Sequence, residues 1–198
     1  FQVFSPNKKV CINRQLDIAP NSSIYSVTFE KLLYHPRILS LFAGGLGQPQ
    51  NSFSSRNTFK ARFEKTIQVS AHRSLSSPES NAQLHVDSFH KILKAYFVIE
   101  NVDETNAAFR YVRSTNRLTI RKLICAYVDS NTMPLGTQKR LSDKEAAKFG
   151  TIEHVCAPSN SLIIADTSGL HARGEFLAPK TRKIIYMDCR YNPFLGLH

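Results

Sequence analysis

Tryptophan is absent from the 198-residue chain, methionine occurs twice, and acidic side chains number 15 against 26 basic ones. No apolar run approaches the roughly 18 residues that a membrane-spanning helix needs, so such a helix is not expected. The four cysteines, Cys11, Cys125, Cys156 and Cys189, are too far apart to form a C-x-x-C pair. That argues against a structural zinc site, and the expectation is small buried thiols in a reducing, cytoplasmic setting. The first residue is Phe1, so an N-terminal targeting segment cannot be read from the chain. The acidic deficit leaves a net charge of +11. Yet Lys and Arg never gather into a block of five or six, and no nucleic-acid-binding signature occurs. Nucleic acid is therefore not the expected partner, and the charge favours an anionic small molecule. There is no internal repeat and no regular strand–helix alternation, which argues against a parallel α/β sheet.

What is present is a chain with 42% hydrophobic residues, enough to bury a sizeable core, and its length suggests one domain over 1–198. Val10-Cys11-Ile12 reads as a short strand. Residues 27–33 have helical spacing. Pro36 opens a second helix, with Ile38, Leu39, Leu41 and Phe42 on its buried side and Gly44-Gly45 as its stop. Residues 58–70 alternate as a half-buried strand, and residues 71–81 form a Ser-rich loop. Residues 92–100 (ILKAYFVIE) read as a strand apolar on both faces, followed by an acidic turn at 101–106 and a return strand at 108–112. Residues 118–128 are ambiguous, with Ile120, Leu123, Ile124 and Tyr127 at helical spacing. Ser142 and Glu145 make a capping box for a short helix ended by Gly150. Strands are expected over 151–157, 161–166, 171–173 and 182–190. The helical N-terminal third (1–57) and the strand-rich remainder (58–190) together predict an antiparallel jelly roll with helices outside it.

One stretch, Ser161–Arg182, carries the chemistry. An apolar strand ends in the turn Asp166-Thr167-Ser168-Gly169, His171 follows, and Arg182 comes eleven residues later. Its natural partner is His85-Val86-Asp87. On a strand, residues i and i+2 share a face, so His85 and Asp87 would point the same way. Two imidazoles and one carboxylate are the facial ligand set of a non-haem Fe(II), and a guanidinium clamps a carboxylate. Each piece alone is weak. H-x-D is common, His90 is an alternative to His85, Arg173 competes with Arg182 because it shares a strand face with His171, and His154 reads as an ordinary strand residue. Gly169 reads as the source of backbone freedom that aims His171.

The joint pattern of His85-Val86-Asp87, His171 and Arg182 resembles the Fe(II)/2-oxoglutarate oxygenases of the phytanoyl-CoA dioxygenase family. So do KAYFVIENVDETNAAFRYVR (94–113) and ADTSGLHARG (165–174). The resemblance implies a double-stranded β-helix, cupin-like, over residues 58–190. It implies His85, Asp87 and His171 as ligands of Fe(II). It also implies 2-oxoglutarate as co-substrate, held by Arg182 with Lys94 and Tyr96, O₂ as oxidant, and hydroxylation of a small organic substrate. Asp87 favours hydroxylation over halogenation. Where many relatives carry a Pro-Gly-Ser-His-like turn, this chain has Arg113-Ser114-Thr115-Asn116, and Asn116 is given no role. The N-terminal third is short for the family. Two other readings stand beside the enzyme: a catalytically impaired jelly-roll module that binds an anionic partner, and a cupin-like protein using another metal at the same ligands.

Overall fold

The structure is a computed structural model, and it describes residues 12–17, 35–47, 64–71, 82–134, 138–177 and 181–190. The expected helix at 27–33 and most of the 71–81 loop lie outside these residues.

Among the described residues, eight strands form two antiparallel sheets. They are β1 (Ile12–Asp17), β2 (Glu64–Ala71), β3 (Ile92–Val98), β4 (Phe109–Val112), β5 (Ile152–Val155), β6 (Ser161–Asp166), β7 (His171–Arg173) and β8 (Thr181–Arg190). The larger sheet has the order β1-β2-β8-β3-β6 and the smaller β5-β4-β7. Isolated bridges extend the smaller sheet past β7: His85 pairs with His171, and Leu84 pairs with Leu141. Successive segments thus cross back and forth between the sheets, which is the jelly-roll winding expected from the sequence.

β3 shows why its sequence has apolar residues on both faces. Leu93 and Ala95 face outward and pack with Ile38, Phe42 and Ala43 of helix α1 (Pro36–Leu46). Lys94, Tyr96 and Val98 alternate to the other face, where Val98 packs with Val102 and Ala108. The smaller sheet is likewise covered on its outer face, where Leu84, Val112, Leu170 and Ala172 enclose Ala146 of helix α3 (Asp143–Ala146). The side chains that carry the chemistry lie between the two sheets.

The helix stops are corrected. α1 continues through Gly44-Gly45 to Leu46, and Gly47, at φ 69°, caps it in the left-handed conformation that glycine adopts freely. Gly45 sits against Leu93, so its small size serves helix–sheet packing. α3 has the expected Ser142–Glu145 capping box, but it ends at Ala146, and a turn carries the chain to Gly150. The ambiguous segment is helix α2 (Ile120–Thr132), N-capped by the Thr119 side chain, and none of its residues is buried. The cysteine expectation fails where it can be checked, because Cys125 and Cys156 are exposed free thiols. Residues 10 and 11 lie outside the description, and β1 starts at Ile12.

Candidate metal centre

Backbone pairing brings the two histidines together. The His85 N–H donates to the His171 carbonyl and the His171 N–H to the His85 carbonyl, both at 2.9 Å. Residues that exchange both bonds across an antiparallel pair project their side chains to the same face. The rings lie side by side, with centroids 4.6 Å apart. Asp87 arrives differently from the sequence expectation. The strand does not continue to it; residue 87 is a bend. Its N–H donates to the Thr167 carbonyl at 3.1 Å, so the turn before β7 draws the carboxylate in.

The result is one ligand atom from each of His85, Asp87 and His171, all within 4.8 Å of one another. Asp87 Oδ1 lies 3.8 Å from His85 Nε2, and Oδ2 lies 3.7 Å from His171 Nε2. The opposite ring nitrogens face carbonyls. His171 Nδ1 is 3.0 Å from the Gly169 carbonyl and His85 Nδ1 is 2.9 Å from that of Gln83. An Nδ1–H that donates to a carbonyl leaves the Nε2 lone pair free, which is the tautomer a metal requires. For His171 this arrangement is uncontested. At His85, Arg140 Nη1 also lies 2.9 Å from Nδ1. One nitrogen cannot donate to Gln83 and accept from Arg140 at once, so the ring has two competing tautomers.

Burial lowers the proton affinity of both rings. His171 is brought down to about 4, with the attraction of Asp87 only partly offsetting burial and the His85 ring adding to it. His85 is lowered chiefly by burial, against the Gln83 carbonyl, with Arg140 adding to the effect. Burial pushes Asp87 up, but Lys94 and then His171 outweigh it and hold the carboxyl at about 2. At neutral pH the cluster therefore presents two neutral imidazoles and one carboxylate. Those are the protonation states that bind a divalent cation.

Lys94 and Tyr96 project from β3 toward the smaller sheet. The Lys94 ammonium lies 2.5 Å from Asp87 Oδ2, so it meets the carboxylate of the cluster itself. The Tyr96 ring packs on Phe109, which stacks on His171 with centroids 5.7 Å apart. Arg182 is 6% exposed and Arg173 8%. Arg182 donates to the Ala107 carbonyl at 2.8 Å. Its pKa is brought down to about 9, by burial first and then by neighbouring Arg173. Two buried guanidiniums near one another favour an anion between or beside them.

Some residues around the cluster gave no signal in the sequence. Gln138 Nε2 is 3.5 Å from Asp87 Oδ1, and Arg140 reaches His85 from the same segment. That segment is brought in by the Leu84–Leu141 bridge, a long-range pairing with no local motif. His90 is not in the cluster; its Nδ1 lies 3.3 Å from the Lys91 carbonyl. His154 sits exposed on β5. Asn116 donates to Asp166 at 3.2 Å and so braces the turn before β7.

Gly169 is needed for space and not for backbone freedom, because its φ is not positive. A Cβ there would lie 2.3 Å from the Tyr111 hydroxyl. That hydroxyl donates to the Asp166 carbonyl at 2.9 Å, clamping the turn that delivers His171.

No protein-family profile and no curated protein matches the chain in sequence. Solved structures do resemble it in fold. HygX from Streptomyces hygroscopicus, with nickel and 2-oxoglutarate bound, superposes with a TM-score of 0.54 at 17% identity, over 92% of this chain and 71% of that one. The epimerase SnoN, in complex with Fe3+, alpha ketoglutarate and nogalamycin RO, gives 0.52 at 15% identity, over 83% of this chain and 59% of SnoN. AviO1 from Streptomyces viridochromogenes Tue57 gives 0.50 at 11% identity, over 84% of this chain and 62% of AviO1. This chain thus spans about three fifths of the SnoN and AviO1 chains. At these identities the likeness establishes the jelly-roll fold.

Proposed function

We propose that this chain is an Fe(II)- and 2-oxoglutarate-dependent oxygenase, akin to the phytanoyl-CoA dioxygenases, that hydroxylates a small organic substrate. The observation that carries the reading is the buried cluster of His85, Asp87 and His171, with both Nε2 atoms facing the carboxylate. Ligands about 2.0–2.2 Å from a common ion lie roughly 3 Å apart, so a small inward movement of the three side chains would complete the set. That HygX and SnoN have been solved with 2-oxoglutarate and a transition metal supports the assignment. When bound, iron with 2-oxoglutarate and O₂ would supply the oxidising chemistry.

The chain's own residues have separate tasks. The Gly169 and Gln83 carbonyls orient the imidazoles by accepting from Nδ1. Arg182, buried and charged at neutral pH, would pair with the far carboxylate of the co-substrate, with Arg173 beside it. Lys94, paired with Asp87 in the metal-free cluster, would yield that carboxylate to a bound cation and, with Tyr96, would face the co-substrate. Phe109, in contact with the Tyr96 and His171 rings, gives the polar cluster an apolar wall. The substrate is read as a small anion because the chain carries +11. The whole of residues 1–198 is read as one domain, in which α1 supports the barrel from outside while β1, expected to lie in a helical support, instead joins the larger sheet beside β2.

The test is anaerobic addition of Fe(II) and 2-oxoglutarate. A weak visible charge-transfer band is expected, followed by succinate formation on admitting air. Neither appearing would sink the proposal. The Lys94–Asp87 ion pair favours one other reading, an impaired module that binds an anionic partner without metal. It predicts anion binding that falls with salt and is indifferent to chelator. A different resident metal would show in elemental analysis of protein purified without added iron.

A further inference from the structure

Helix α2 presents its apolar side to solvent. Ile120, Ile124, Tyr127 and Val128 recur at i, i+4, i+7 and i+8 and form one stripe. Their exposures are 78%, 57%, 72% and 48%. The side turned to the protein carries Lys122, Ala126 and Asp129, all half-buried, and no large apolar side chain. Lys122 is the anchor. Its ammonium donates to the Thr115 carbonyl at 3.2 Å and also to that of Ser168, in the turn before β7. An amphipathic helix ordinarily buries its apolar stripe, and a contiguous exposed one marks an interaction surface.

The charges point to the occupant. Exposed Arg117 and Arg121 stand at the N-terminal end, and the last turn has no basic residue. The helix dipole favours the opposite arrangement, cations at the C-terminus. A second copy of α2 laid antiparallel resolves this, because each basic end then lies beside the other helix's C-terminal end. The stripe is also symmetric about Ile124, with Ile120 four residues before it and Val128 four after. Basic residues collected at one end suit such end-to-end matching. A helix lying flat on an anionic membrane would instead carry them along both flanks.

We propose that α2 is the seam of an antiparallel two-fold homodimer. Ile124 sits at the dyad, and Ile120 faces the partner's Val128. The contact is isologous, since the same stripe serves both copies. It also lies against the turn that delivers His171, through Lys122, so dimer formation would steady that turn.

The test is the mass of the 198-residue chain by sedimentation across a concentration series. A monomer–dimer transition is expected, with a midpoint on the order of tens of micromolar for a single-helix seam. Ile124→Glu should abolish dimerisation while leaving circular dichroism unchanged, since Ile124 is exposed in the monomer. Arg117→Glu with Arg121→Glu should weaken the dimer about tenfold at low salt and less at high salt. In a Cys125→Ser background, Ile124→Cys should oxidise to a covalent dimer and Ala126→Cys should not. A chain that stays monomeric throughout would overturn the proposal. So would a dimer indifferent to Ile124→Glu, cross-linking equally good from both positions, or a monomer whose stripe binds anionic vesicles.

Discussion

Asp87 holds the cluster together because it faces both imidazoles and the Lys94 ammonium. Asp87→Asn keeps the shape and removes the charge. Metal affinity measured by calorimetry should fall about 100-fold if the carboxylate serves as both ligand and counter-charge, as proposed. Unchanged affinity would mean that the ion is held elsewhere. Protonation gives a second expectation at this scale. His171 is lowered in the folded state to about 4 from 6.5, so between those values the unfolded chain binds the extra proton. Stability of the metal-free protein is then full above pH 6.5 and is lost as pH falls toward 4, by about 3 kcal/mol at most. Asp87, lowered from 3.8 to about 2, extends the loss below pH 3.8. Urea unfolding at stepped pH checks this. His171→Gln should flatten the upper part of the slope, and a wild-type slope in that variant would contradict the assignment.

Among the elements, the turn between β6 and β7 does the positioning. It supplies the carbonyl that Asp87's backbone uses, the carbonyl that orients His171, and the contact with Lys122. Gly169→Ala would drive a methyl group into the Tyr111 ring, an overpacking expected to cost about 1–3 kcal/mol. It should lower metal affinity together with the melting temperature. A Gly169→Ala variant with Tyr111→Phe, which removes the hydroxyl nearest the new Cβ, should recover part of the stability; no recovery would place the strain elsewhere. This turn also shows where sequence patterns stop. The strands on either side are legible from apolar runs, but the need for glycine comes from a tyrosine 58 residues away.

At the scale of the whole molecule, two sheets and their covering helices form a frame whose interior holds the polar groups. Ligands that bind only this folded frame should stabilise it. Metal at about 100 times its dissociation constant is worth about 2.7 kcal/mol, a melting shift of about 5–10 °C for a chain of this size. 2-Oxoglutarate added after metal should raise the melting temperature further. Arg182→Gln should remove that second increment and spare the first. Loss of both would indicate that Arg182 serves the fold, and loss of neither would assign the co-substrate to another residue.

The family resemblance joined His85, Asp87, His171 and Arg182 into one candidate set and preferred Arg182 to Arg173, while periodicity and composition were enough to forecast a mainly β, antiparallel chain with most of its strands and the α3 capping box. They are local properties, written in the alternation of neighbouring side chains and in residue types. Tertiary structure decided the rest. It set Asp87 on a bend, turned Lys94 to that carboxylate, brought Gln138 and Arg140 to the cluster, left Cys125 and Cys156 exposed, and faced the apolar stripe of α2 to solvent. Each of these depends on which distant segments pair across the sheets. A strand or helix pattern says which face is apolar, but only the completed packing says what that face meets.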